Sequence, residues 1–360
     1  MRVRARSALT LAGLIALAVL APLLPACARD DGSPPARELV LYSSVDDELL
    51  REIVRVYEQE LGVRVRTLGD TEATKTTGLV TRLIAEKGAP KADVWWSSEA
   101  TGTIRLSDEG VLEPYTSDVG EAEFVGHWPA RLRGEHGDWY GFALRARVIA
   151  YSPDRVPEDQ LPRTLADLTD PRWKGRVGMA RPAFGTTRGH LGALLDAWGR
   201  TAFGAWVDAM GANALRLYDG NASVVRAIAQ GEIDAGLTDT DDVWSGQRNA
   251  WRVEAAYEAP DPHAGDGRWP SNGPMAIPNT VAIVRGGPNP AEARRFLDFL
   301  ISARTESRIA QSVSRNVPVT PVARELHPEL VIPNAWTPDL ERAAEAVPEA
   351  LEIWDQRFSP

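Results

Sequence analysis

The sequence predicts an α/β protein of two lobes, each a mostly parallel sheet flanked by helices, with a ligand cleft between them. Three observations carry this. Strand and helix patterns alternate between residues 38 and 98. Once a leader is set aside, about 330 residues remain, enough for two cores. A further strand pattern, "NTVAIVRG" (279–286), comes late in the chain, placed to return to the first lobe.

The alternation can be justified element by element. "ELVLYSS" is an apolar run of strand length. Leu49, Leu50, Ile53, Val54, Tyr57 and Leu61 then recur at helical spacing. Ser44 or Asp46 is placed to cap that helix, with acids in its first turn. "GVRVRTL" alternates valine and arginine as a strand does, and "TKTTGLVTRLIAEKG" is helical with Gly88 as its stop. "ADVWWSS" is a third strand, in which one of Trp95 and Trp96 belongs to the core and the other is free to wall the cleft. Such a succession implies parallel strands with right-handed crossovers.

"DWYGF" and "RARVIAYSP" are two short strands where the chain crosses to the second lobe. "TLADLTDPRWKGRVGMARP" is a loop leading into a strand. Helices follow over 187–199, 201–210 and 221–230, then the strand "EIDAGLT" and a helix over 240–249. "NPAEARRFLDFLIS" and "ARTESRIAQSV" are amphipathic helices, and a last helix spans 337–353.

The start of the chain reads as an export signal over residues 1–27: "MRVRAR", then the apolar run "SALTLAGLIALAVLAPLL", then "LPAC". Pro22 and Pro25 break the run, which is short for a membrane span. Cys27 is the only cysteine, so no internal disulfide forms; behind Leu-Pro-Ala it resembles a bacterial lipobox, where the thiol takes a lipid after export. Pro25 is unusual there, which leaves ordinary signal-peptidase cleavage open. "ARDDGSPPAR" (28–37) is a flexible tether. The lobes are assigned as 38–142 with 278–320, and 143–277 with 321–360, with crossovers near 140–147 and 275–282. A net charge of −10 and a pI near 5.2 argue against nucleic acid.

In an open parallel sheet, ligands bind beyond the carboxyl ends of the strands. That rule selects "SSVDD", "GDTEATKTT" and "SSEATG" from the first lobe, and "AFGTTRGH" and "TDTDD" from the second. The acids suit a hard cation such as Fe(III), Mn(II), Ca(II) or Mg(II), and equally a protonated amine. The plain alternative is that Asp239 or Thr240 caps a helix whose first turn holds Asp241 and Asp242. Gly185 allows close backbone approach, and Thr186 and Thr187 offer hydroxyls and N–H groups to an anionic group; an ordinary capped helix start is again the alternative. His190, one turn on, reads as structural. In "GDTEATKTT", four threonines including Thr76, with Glu72 and Lys75, form a hydroxyl-lined rim or a simple cap.

The order of elements resembles the periplasmic solute-binding proteins of ABC importers, and in particular the ferric-iron-binding family. The carriers are "LYSSVDDELLREIVRVYEQELGVRV", "PKADVWWSSEA", "DLTDPRWKGRVGMARP", "GNASVVRAIAQGEIDAGL" and "RNVPV". The resemblance implies the two-lobed periplasmic-binding-protein fold (type II-like), export to the periplasm or cell envelope, and a monomer docking on an inner-membrane ABC permease with its ATPase. It also implies no permanent cofactor, and a transported ligand that is ferric iron or another polyvalent cation, with or without an accompanying anion. Family members hold iron with adjacent tyrosines; Asp241 and Asp242 stand in that place here. The family's histidine near the first helix corresponds to Asp46, and its glutamate falls on Ser98, with Glu99 one step on. Asp46, Glu99, Asp241 and Asp242 are therefore the candidate metal ligands. The family's anion pocket falls on Gly185, Thr186 and Thr187, with Asn221 nearby, and Arg145 resembles an arginine beside the anion. Ser44, Thr76, Ser98 and Asp239 complete the candidate ligand-binding set.

Two alternatives stand beside this one. A small organic phosphate or phosphonate carrying an amine would use the hydroxyl-rich loops for its acid end and the aspartates for its amine. More distantly, "AGLTDTDD" resembles a Mg-dependent phosphatase start, with Asp239 as nucleophile and Asp241 as general acid. The motif lies late in the chain, without a later acidic pair at a strand end. GxSxG, HExxH and Walker A patterns are absent from the sequence.

Overall fold

The computed structural model describes residues 37–70, 76–124, 126–183 and 185–358. The export signal, Cys27, all of the tether but Arg37, and Glu72 and Lys75 of the rim loop lie outside the described residues.

The chain opens as β1 (Glu38–Ser43), α1 (Asp47–Leu61), β2 (Arg64–Gly69), α2 (Thr77–Ala85) and β3 (Val94–Ser97). β1 pairs in parallel with both β2 and β3, as the alternation requires. α1 buries Leu49, Leu50, Ile53, Val54 and Tyr57 and ends on Gly62 in the left-handed region. α2 stops before Gly88, at Glu86, in ordinary helical conformation. Trp95 and Trp96 both lie in the core, on opposite faces of β3: Trp96 packs with Phe142, while Trp95 donates to the Thr103 hydroxyl at 2.8 Å. Neither walls a cleft. α3 (Thr101–Asp108), β4 (Leu112–Glu113) and α4 (Asp118–Glu123) follow.

The two short strands expected next are one: β5 (Trp139–Tyr151) runs thirteen residues without interruption. It absorbs a local irregularity at Ala143, whose φ is 44°. Then come β6 (Val177–Ala180), α5 (Gly185–Ala212), β7 (Arg216–Tyr218), α6 (Asn221–Ala229), β8 (Ala235–Asp239), α7 (Thr240–Arg248) and β9 (Glu254–Ala256). α5 is broken at Gly199, where φ is 76°, so the two expected helices meet end to end. β10 (Ala276–Val284), α8 (Pro290–Ile301), α9 (Ala303–Gln311), α10 (Pro321–Leu326) and α11 (Leu340–Phe358) complete the fold.

The strand order is β2-β1-β3-β10-β5-β8-β6-β7. The outer strands are parallel, while β5 and β10 enter antiparallel and pair with each other between the two halves. Each half-sheet is covered on both faces by apolar clusters, the two-layer burial expected of α/β lobes. Where β5 passes between the halves, Glu306 of α9 is fully buried. Its carboxylate accepts from the N–H groups of Ala143 at 2.8 Å, Val319 at 3.0 Å and Thr320 at 2.7 Å. Asn279 of β10 donates to the Ala143 carbonyl at 2.6 Å.

Candidate functional site

The cleft floor is formed by the residues just past β1 and β3 on one side, and by the ends of β6 and β8 on the other. Two adjoining cavities share Asp46, Ser98, Arg145 and Asp242. The first reaches Gly185, Thr186, Thr187, Asn221 and Asp239, where α5 and α6 begin. The second, about 290 Å³, is bounded by Asp241, Ser245, Asn279, Ser314 and Asn316, at the small end of the range for small-molecule sites.

The charge arrangement follows from strand geometry. Arg145 and Arg147 are two apart on β5, so both guanidinium groups leave the same face. The antiparallel register sets Arg147 directly opposite Asp239. Arg147 Nη1 donates to Asp239 Oδ1 at 2.9 Å, and Arg145 Nη1 donates to Asp241 Oδ2 at 2.8 Å and lies 3.6 Å from Asp239 Oδ2. All four residues are more than nine-tenths buried. Burial opposes the charge on Arg145, but Asp241 and Asp239 hold it protonated above its ordinary range. Burial pushes the Asp241 carboxyl up, with Arg145 pulling against it and Asp46 and Asp239 adding repulsion.

Asp239 receives more than its ion pairs. Thr186 Oγ1 donates to Oδ2 at 2.6 Å, and Asn221 Nδ2 donates to the same oxygen at 2.9 Å. Arg147 Nη2 also donates to the Thr187 hydroxyl at 3.0 Å. Thr186, Thr187, Asn221 and Arg145 are thus gathered as expected, but around a side chain of the protein itself. Both Asp239 oxygens thus accept from the protein itself, one donor on Oδ1 and two on Oδ2, where the phosphatase alternative would place its nucleophile. Gly185 has φ of 61°, a left-handed conformation that favours glycine, and the space beyond its Cα is open toward the first cavity.

Residues 39–312 match the family described as bacterial extracellular solute-binding protein. The chain belongs to this family. The solute-binding protein is 30% identical to the Fe(3+)-binding periplasmic protein of Serratia marcescens, over 55% of this chain and 56% of that one. It is 27% identical to iron uptake protein A1 of a Synechocystis strain, over 81% of this chain and 80% of that one. The structure of the Pasteurella haemolytica apo ferric ion-binding protein A superimposes with a TM-score of 0.77 at 22% identity, covering 90% of this chain and all of that one. These likenesses bear out the two-lobed periplasmic-binding-protein fold.

Within this solute-binding protein the remaining candidates divide. The Asp239, Asp241 and Asp242 carboxylates each offer an oxygen within 4.8 Å of the others. Asp242 accepts from the Thr238 hydroxyl at 3.2 Å. Asp46 is exposed at the N-cap of α1, makes no side-chain capping bond, and lines both cavities. Ser44 is scaffold: its hydroxyl pairs with Ser97 at 3.0 Å and accepts the Ser98 N–H. Ser98 reaches the cleft, and its carbonyl accepts from Arg145.

Glu99 does not join the aspartates. It turns back to accept the N–H groups of Thr101 at 2.6 Å and Gly102 at 2.9 Å, satisfying the start of α3. It borders a separate cavity with Thr76, Gly102 and Arg188, and burial raises its carboxyl above the ordinary range. Thr76 faces the same cavity, so neither belongs to the cluster of acids. His190 is fully buried, and burial with Arg147 nearby holds it neutral, which agrees with a structural role.

Arg147, Ser245, Asn279, Ser314 and Asn316 were not among the candidates. Only Arg147 left a signal: two arginines spaced by one residue in "ALRARVIA", an otherwise apolar strand, require buried acids.

Proposed function

We propose that this protein is the exported binding component of an ABC importer and carries ferric iron, or another polyvalent cation, in the cleft. The observation that carries the reading is Asp241 Oδ1. It is a buried carboxylate oxygen with no hydrogen-bond donor among the described residues, on a residue that lines the cavity shared by Asp46 and Asp242. Such an oxygen is costly unless a cation or a donor meets it. Hard carboxylate oxygens match hard cations. The names of the relatives, which speak of ferric iron and iron uptake, support the same choice. Among the described residues no tyrosine lines either cavity, so iron here takes carboxylates from Asp241, Asp242 and Asp46, and the rest of its shell from water or a chelator filling the second cavity.

The bodies 38–142 with 278–320, and 143–277 with 321–360, close about β5 and β10, and the closed form docks on an inner-membrane permease served by its ATPase. The protein acts as a monomer in the periplasm or cell envelope, tethered through a lipid on Cys27.

A second reading is favoured by the amide and hydroxyl walls of Ser245, Asn279, Ser314 and Asn316. They suit an amine-bearing organic solute whose ammonium meets Asp241. The phosphate or phosphonate end of such a solute fits less well, because Asp239 already takes the Thr186 and Asn221 donors.

Native mass spectrometry with elemental analysis, on protein purified without chelator, separates the two. The cation reading expects near-unit metal, lost in Asp241→Ala/Asp242→Ala. A metal-free protein carrying a small organic mass would refute it.

A further inference from the structure

The N-terminal ends of α5 and α6 converge with two buried arginines, an arrangement that attracts an anion. The Asp239 carboxylate sits in it. Its Oδ1 takes Arg147 Nη1 at 2.9 Å, its Oδ2 takes Thr186 Oγ1 at 2.6 Å and Asn221 Nδ2 at 2.9 Å, and Arg145 Nη1 stands 3.6 Å away. The side chain is 1% exposed. The hydrogen-bond donors come from three separate elements, β5, α5 and α6, and converge on one carboxylate. That is the coordination a free carboxylate or phosphate oxygen would receive.

We infer that Asp239 is a resident anion: it permanently fills the anion cradle, so the solute is bound without a separate small anion there. The inference rests on the reading of the cleft as a solute site, but not on which solute enters it. Two consequences follow from charge. With Asp239 in place, Arg145 and Arg147 are balanced by Asp239 and Asp241, and an incoming anion meets a like charge and finds the Thr186 hydroxyl and the Asn221 amide already engaged. Without Asp239, Arg147 loses its paired carboxylate, and Thr186 and Asn221 lose the acceptor they share. The emptied cradle then has both the donors and the charge to take an anion from solution.

The test uses inorganic phosphate and acetate as probes, on the metal-free full protein, at matched ionic strength. The parent protein is expected to give no phosphate binding heat and no shift in melting temperature with either ion. Asp239→Gly is expected to melt lower than the parent and to recover with acetate, which replaces the deleted carboxyl group, and to bind phosphate at least about tenfold tighter than the parent. Phosphate binding to the parent that is abolished in Thr186→Val would overturn the inference, as would an Asp239→Gly protein that gains no affinity for either ion. If Asp239→Gly does not fold, the isosteric Asp239→Asn and the parent titration decide the matter alone. Because no metal is present, the outcome is independent of the elemental analysis above. A metal-free, organic-binding protein with an anion-silent cradle would sink the cation reading and leave this one standing.

Discussion

Replacing Glu306 by alanine removes the acceptor of three backbone amides at the place where β5 passes between the half-sheets. The Ala143, Val319 and Thr320 N–H groups are all buried, and the carboxylate takes them at 2.7–3.0 Å. A buried donor left without a partner costs about 1–3 kcal/mol. Three such donors, with some relief from water entering the vacated volume, give a loss of roughly 3–6 kcal/mol. Against a total stability of about 5–15 kcal/mol, this is a large fraction. Urea unfolding followed by tryptophan fluorescence reads it as a lower midpoint with an unchanged slope. Glu306→Gln keeps the shape and one carbonyl oxygen but turns an NH2 group toward an amide, so an intermediate loss is expected. An alanine variant within about 1 kcal/mol of the parent would refute the reasoning, since the amides would then have found other partners.

Gly192 faces α11, and a Cβ there would lie 2.2 Å from the Ala343 carbonyl oxygen. Gly192→Ala is expected to cost about 1–3 kcal/mol by overpacking, read as a lower melting temperature. Burial pushes the Glu258 carboxyl up to about 7 from an ordinary 4.5, with Ser271 pulling the other way. Between those values the folded chain keeps a proton that the unfolded chain has lost, so stability falls as pH rises through the window. Glu258→Gln should flatten that fall in urea titrations at pH 5, 6 and 7.5 (about the span of the window); an unchanged slope with pH would refute the assignment.

The alternation from β1 to β3 was legible because each element is long enough to show its period and is closed by a glycine or a charged turn. β4, β7 and β9 were not, being two or three residues each. β5 reads as two pieces because Arg145 and Arg147 interrupt its apolar pattern, and only the register with β8, some ninety residues on, supplies the acids that let them be buried. The same separation hid the state of the aspartates. The sequence shows three acids after a strand; which are neutralised, and which keeps an open oxygen, depends on side chains from β5, α5 and α6. Glu99 went astray for a local reason. The helix after it, "TGTIRLSD", opens with threonine and glycine and has little apolar periodicity, so its need for a capping acceptor was not visible.

The strand order also fixes a sequence of events during folding. β3 has β1 beside it, but its other neighbour is β10, with Ser97 opposite Thr280. The strands from β5 to β9, by contrast, all lie between residues 139 and 256. A chain emerging from its N-terminus therefore presents β1 to β3 with the β3 edge open in addition to the permanent β2 edge, while the insert between β5 and β9 can already pair internally. The first half-sheet is closed last, by a strand that arrives after the second half has its own partners. Until then the open edge of β3 is a template for strand addition from another chain, so anything that holds the chain unfolded until residue 284 is out protects it against aggregation.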